Sequence, residues 1–196
     1  LLLPDGEVLL WGTNGTLVVW NIPIGDRLQV VCEGIGFIGG VGLLPDGHLL
    51  SWGKELLVWD TVTGRCLRKI QGDDGGHNLV GVLVLSESQA LSWDAVDTLS
   101  LWDLTAGEPR RTILGGKGDL SGLLRLPDGS VLSWSRDGVL RVWDLMAGVC
   151  LQTLEGHKGS VRGALLLRDG SVLSWSDDQT LRVWDLRDGS QRACLG

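Results

Sequence analysis

Apolar and small or polar positions alternate along much of the chain in short runs, and each run stops at a turn built from Asp and Gly. Alternation with period two belongs to strands, not helices. The stretch after residue 155 shows the unit most clearly. Val161 to Leu167 reads as a first strand, Asp169-Gly170 as a turn, and Ser171 to Ser176 as a second strand. A polar hairpin loop, Asp177-Asp178-Gln179, follows, then a third strand from Thr180 to Leu186, a turn at Asp188-Gly189 and a fourth strand from Gln191 to Leu195. Loops this short join antiparallel neighbours. On the second strand Ser174 and Trp175 point to opposite faces; on the third, Trp184 and Arg182 share the face opposite Leu181 and Val183. Both faces carry apolar bulk, so such a sheet needs cover on both sides.

The unit recurs. Trp11, Trp52, Trp93, Trp134 and Trp175 lie 41 residues apart, and a second series, Trp20, Trp59, Trp102, Trp143 and Trp184, is each followed by Asp or Asn. The turn tripeptide recurs as Pro4-Asp5-Gly6, Pro45-Asp46-Gly47, Pro127-Asp128-Gly129 and Arg168-Asp169-Gly170, with Ser86-Glu87-Ser88 as the departure. Residues 127–148 and 168–189 agree at 16 of 22 positions. A fixed period of this length marks a repeat architecture. Small sheets stacked radially cover each other's faces, which predicts an all-β fold, a β-propeller of five four-stranded antiparallel blades. The blades are placed at 1–33 (first strand truncated), 34–74, 75–115, 116–156 and 157–196, all in one propeller domain. A buried Trp removes about 150–250 Å² from water, worth roughly 4–6 kcal/mol at about 25 cal/mol per Å². One unit alone leaves that surface exposed and should not fold by itself.

The fifth unit, with Gly156-His157, Asp169-Gly170, Ser174 and Asp178-x-Thr180-Leu181-Arg182-Val183-Trp184-Asp185, resembles the WD-repeat family, and the resemblance runs across essentially the whole chain. It implies a buried hydrogen-bonded set of His157, Ser174, Asp178 and Trp184, in which each polar group finds a partner. The set thins elsewhere: the fourth unit keeps Ser133, Asp137 and Trp143 but has Gly116 where the His belongs. The third keeps Ser92 and Trp102 with Val96 at the Asp position, and the second keeps Ser51 and Trp59. The family more often has a small residue where this chain has Trp11, Trp52, Trp93, Trp134 and Trp175; these indoles are expected to pack between blades.

The resemblance also implies a function: a non-catalytic scaffold that binds a protein or peptide through its loop face. That face carries loops that differ from copy to copy on a constant frame, as recognition surfaces do; Phe37, Lys54, Asp74, Asp97 and Arg136 are its candidate partner-binding residues. Two other readings stand beside it, a lectin-like or small-ligand propeller with repeated inter-blade pockets, and a purely structural assembly module of a larger bacterial signalling protein. The blades form either a closed five-bladed ring or an arc of a larger ring, completed by missing upstream blades or by a second chain.

Composition narrows the chemistry. The chain has 196 residues, a net charge of −7, ten Trp, one Phe and no Tyr. Lys and Arg nowhere cluster as a phosphate-binding face requires, so nucleic acid is not expected as a partner. No run is long enough to span a membrane as a helix, and no membrane partner is expected. His157, Ser174 and Asp178 have the residue types of a nucleophilic triad, but they fall on the strand-fixing positions of the repeat. No other catalytic motif is present, so no catalytic residue, cofactor or metal is assigned. Cys32, Cys66, Cys150 and Cys194 lack zinc spacing. They are expected to be buried thiols in a reducing compartment, which places the protein in the cytoplasm.

Overall fold

The computed structural model describes residues 1, 3, 7–12, 14–21, 26–32, 36–71, 78–114 and 118–196. Those residues form antiparallel sheets and contain no helix. The first sheet has three strands, β1 (Val8–Trp11), β2 (Leu17–Asn21) and β3 (Asp26–Cys32). Beside β1, Leu1 and Leu3 keep the ladder going: the Leu9 N–H donates to the Leu1 carbonyl and the Leu3 N–H to that of Glu7, each at 2.8 Å. The other four sheets have four strands each, in chain order. The second comprises β4 (Ile38–Leu43), β5 (Leu49–Gly53), β6 (Glu55–Trp59) and β7 (Cys66–Gln71). The third comprises β8 (Leu79–Ser86), β9 (Gln89–Asp94), β10 (Thr98–Asp103) and β11 (Glu108–Leu114). The fourth comprises β12 (Leu120–Arg125), β13 (Val131–Ser135), β14 (Leu140–Asp144) and β15 (Val149–Leu154). The fifth comprises β16 (Val161–Leu166), β17 (Val172–Ser176), β18 (Leu181–Trp184) and β19 (Gln191–Leu195).

The third strand of the last sheet is shorter than its pattern predicts. It stops at Trp184 because Asp185 starts a turn: its carboxylate accepts the Arg187 N–H, and its own N–H donates to the Ser190 carbonyl at 2.9 Å. The same device closes the second, third and fourth sheets, where Asp60, Asp103 and Asp144 each accept two backbone N–H groups from the turn that follows. At the β16–β17 turn, Gly170 has φ = 82°, a left-handed conformation glycine adopts without strain.

The chain divides into two compact units, Leu1–Asp94 with Ser100–Arg110, and Ala95–Leu99 with Arg111–Gly196. In the first unit Leu9, Leu17 and Val19 of the first sheet are buried with Ile38, Val41, Leu49 and Trp59 of the second. A second cluster joins Leu50, Leu56, Val58 and Ile70 to Ala90, Trp102 and Leu104. In the second unit Leu132, Leu140, Val142 and Leu154 of the fourth sheet pack on Val161, Val172 and Trp184 of the fifth. These clusters lie between sheets, as two-faced apolar strands require.

The 41-residue tryptophans share one local geometry. Trp52, Trp93, Trp134 and Trp175 pair across the first hairpin with Gly40, Gly81, Gly122 and Gly163. The indole lies over the glycine so closely that a Cβ there would stand 2.1–2.3 Å from the ring. Trp52, Trp93 and Trp134 are half-buried, with Trp52 and Trp134 packed against the inter-sheet clusters. Trp11 and Trp175 are exposed, contrary to expectation. Around Trp175 the face of the fifth sheet is open to solvent, with Leu165, Leu181 and Leu195 exposed beside it.

The cysteines also depart from expectation. Cys66, Cys150 and Cys194 are free and exposed, because they sit on the outermost strands, whose residues face water on nearly every position. Burial of the sulfur nonetheless pushes the Cys66 thiol pKa up.

Candidate functional site

Ser174 is on β17, Trp184 on β18, and His157 and Asp178 lie in the two loops at the same end of the fifth sheet. The fold brings all four together. His157 Nδ1 is 3.0 Å from Asp178 Oδ2, its Nε2 is 2.7 Å from Ser174 Oγ, and the Trp184 indole N–H donates to the same Oγ at 2.8 Å. Thr180, which the sequence did not single out, completes the set: its Oγ1 donates to Asp178 at 2.7 Å and lies 3.2 Å from His157 Nδ1. Burial works to raise the Asp178 pKa, but hydrogen bonds from the Lys158 N–H, Thr180 and His157 outweigh it and hold the carboxyl well below the usual carboxylate range. Ser174 is 0% exposed, so its hydroxyl offers a substrate no approach in this conformation. The triad-like residues fasten two strands and a loop.

The other sheets keep the inner half of this arrangement. Trp143 donates to Ser133, Trp102 to Ser92 and Trp59 to Ser51, at 2.8, 2.8 and 2.9 Å. Asp137 does not join Ser133. Without a histidine beside it, it turns outward and accepts the Val139 N–H and the Arg141 guanidinium, at 3.0 and 2.9 Å. The indole N–H groups of Trp52, Trp93 and Trp134 are buried and have no acceptor. The two tryptophan series are therefore held differently, one by a serine and one by packing on glycine.

The candidate partner-binding residues fall in separate places. In the first unit, exposed Phe37 and Lys54 flank a cavity of about 380 Å³ that is also lined by Trp52, Glu55 and Lys69. Lys69 and Glu55 form an ion pair at 2.9 Å, which leaves Lys54 as the cation facing outward from the hairpin. In the second unit, Arg136 lines a shallow depression of about 540 Å³ with Val96, Asp97, Asp119 and Asp137. Arg136 reaches Asp119 at 3.9 Å and Val96 is exposed.

Asp97 behaves unlike a docking residue. It is buried, with φ = 65°, and its carboxylate accepts the backbone N–H groups of Gly118, Asp119 and Leu120 at 2.7, 2.9 and 2.6 Å. Its equivalents in the other long hairpins are Gly15, Gly138 and Gln179, all with positive φ, so the position is conformational first. The aspartate there spends its acceptor capacity on the chain itself. Asp74 lies outside the described residues.

Residues 148–185 match the family model described as WD domain, G-beta repeat. Among solved structures, the chain is similar to the C-terminal WD40 domain of Sif2, with a TM-score of 0.79 and 24% identity over 100% of this chain and 56% of that one. The chain thus spans a little over half the length of that relative, and at this identity the likeness speaks for the fold. As many as 1533 solved chains match, so the fold by itself selects no single partner. No curated protein matches the chain in sequence.

Proposed function

We propose, starting from a chain built as a WD-repeat propeller, that the protein is a non-catalytic scaffold docking a protein or peptide on its loop face. The observation that carries this reading is the cavity beside β5 and β6, where exposed Phe37, just ahead of β4, comes together with half-buried Trp52 and Lys54 at the end of the β5–β6 hairpin. Aromatic surface next to a free cation on a rigid frame suits an extended segment that offers an aromatic or aliphatic anchor and an acidic neighbour. The acid supports binding through charge while the anchor fills the cavity.

The depression around Arg136 has three aspartates, one arginine and an exposed valine where the first cavity has aromatic rings and lysines. A propeller that repeats one small-ligand pocket between blades would line its cavities alike, so this contrast favours the scaffold. Free, exposed cysteines support a reducing compartment such as the cytoplasm. The same reading has the ring completed by upstream blades or by a second chain, and places neither nucleic acid nor membrane among the partners.

An array of short peptides that varies one aromatic and one acidic position tests the docking site. Retention of acidic, aromatic-anchored peptides, lost on Phe37→Ala and Lys54→Glu, is expected. Binding that ignores both substitutions, or no retained peptide, contradicts the site.

A further inference from the structure

Two departures from the repeat meet in the second sheet. The residue just before each tryptophan-facing glycine is Gly39, Val80, Ser121 and Arg162 in the second to fifth sheets. Two positions earlier stand Phe37, Asn78, Asp119 and Ser160. Val80, Ser121 and Arg162 are all exposed, so the frame accepts side chains of very different size at this position. Among these four sheets the second alone has none there, and it is the one with an aromatic ring two residues before.

Backbone geometry does not demand that glycine. Gly39 is exposed and lacks the left-handed φ of the turn glycines. Its neighbour Gly40 is different, since a Cβ there would meet the Trp52 ring at 2.3 Å. A Cβ on Gly39 would stand 3.1 Å from the Leu79 carbonyl oxygen, 3.4 Å from Phe37 Cε1 and 3.5 Å from Trp52 Cδ1, contacts that a shift of a few tenths of an ångström relieves. The space beside Gly39 is thus a patch of bare, exposed backbone bordered by two rings and a carbonyl oxygen. Glycine serves where another group must come close to the backbone.

The borders select that group. Phe37 is 47% exposed, and its ring and that of Trp52 attract a third ring in offset or edge-to-face contact. An aromatic ring also has an electropositive edge, which suits the Leu79 oxygen; an aliphatic side chain fills space without that edge. We propose that Gly39 is the specificity-determining residue of the docking site, and that the anchor of the bound segment is an aromatic side chain lying on the Gly39 backbone against Phe37 and Trp52. This rests on the docking reading above and narrows its anchor from aromatic or aliphatic to aromatic. A side chain at position 39 takes the anchor's place.

Fluorescence anisotropy of labelled peptides with the whole chain tests this. The probes are a Gly-Ser peptide with aspartates beside one phenylalanine, and its twins with leucine or alanine in place of the phenylalanine. The wild type is expected to bind the phenylalanine peptide about tenfold more tightly than the leucine one. Gly39→Val, which places there what the third sheet carries at Val80, should erase that preference with the circular dichroism spectrum unchanged. Gly39→Ala adds one methyl group, disturbs the frame least and should reduce the preference in part. Full preference retained in both variants, or a leucine peptide that binds the wild type as well as the phenylalanine one, overturns the inference. If binding in those cases is still lost on Phe37→Ala and Lys54→Glu, the docking reading stands without it. A wild type that retains none of the three peptides overturns both.

Discussion

Gly122 faces Trp134 across the first hairpin of the fourth sheet so closely that a methyl group on the glycine would stand 2.2 Å from indole Cζ2. The pair is a fixed unit of the repeat: glycine lets the ring lie flat on the strand, and the ring then reaches the next sheet. Gly122→Ala should destabilise the protein by about 1–3 kcal/mol, the usual cost of overpacking, seen as a lower urea midpoint. Combined with Trp134→Ala, the same change should cost far less than the sum of the two, because the colliding atoms are gone.

The serine acceptors should rank by how many buried donors they serve. Ser133→Ala leaves the Trp143 N–H without a partner, for about 1–3 kcal/mol. Ser174→Ala strands both Trp184 and His157, and should cost more. Thermal unfolding of the two variants checks the order; equal losses would mean His157 contributes nothing through Ser174.

Acid should act on the fifth sheet through Asp178. Its carboxyl titrates below its unfolded value of about 3.9, so the stability it contributes is fully present above that value and drains away as pH falls toward the folded one. Melting temperature should therefore drop as pH falls below about 4, and Asp178→Asn should flatten part of that fall while lowering stability near neutrality. A melting curve with the same pH slope in both proteins would contradict this role.

Asp97 should behave as a clamp. Asp97→Ala removes the acceptor of three amides, and hydrogen exchange at Gly118, Asp119 and Leu120 should accelerate, with distant amides unaffected. Asp97→Asn, which tolerates positive φ and keeps one good acceptor oxygen, should show a smaller change.

Much of this was legible in the sequence because two-faced strands at a fixed period can be buried only by like neighbours. The His157, Ser174, Asp178 and Trp184 set was readable through the resemblance, and those side chains meet in the fold. Gly40, Gly81, Gly122 and Gly163 recur with the same period as the tryptophans, and that signal could have been found by asking what lies across from each ring. The rest depended on facts that residue type does not carry. Whether Trp175 is covered turns on what stands beside its sheet, and whether Asp97 faces a partner or its own backbone turns on a left-handed φ that Asp adopts as readily as Gln179 does. Cys66, Cys150 and Cys194 were misplaced because strand alternation says which face a thiol takes, not that the outermost strand has no neighbour.

Calorimetric titration of the strongest acidic, aromatic-anchored peptide into the whole chain tests the scaffold reading most directly. One peptide per chain is expected, with heat abolished by Phe37→Ala combined with Lys54→Glu. A stoichiometry close to the number of sheets, unchanged in that double variant, would contradict it.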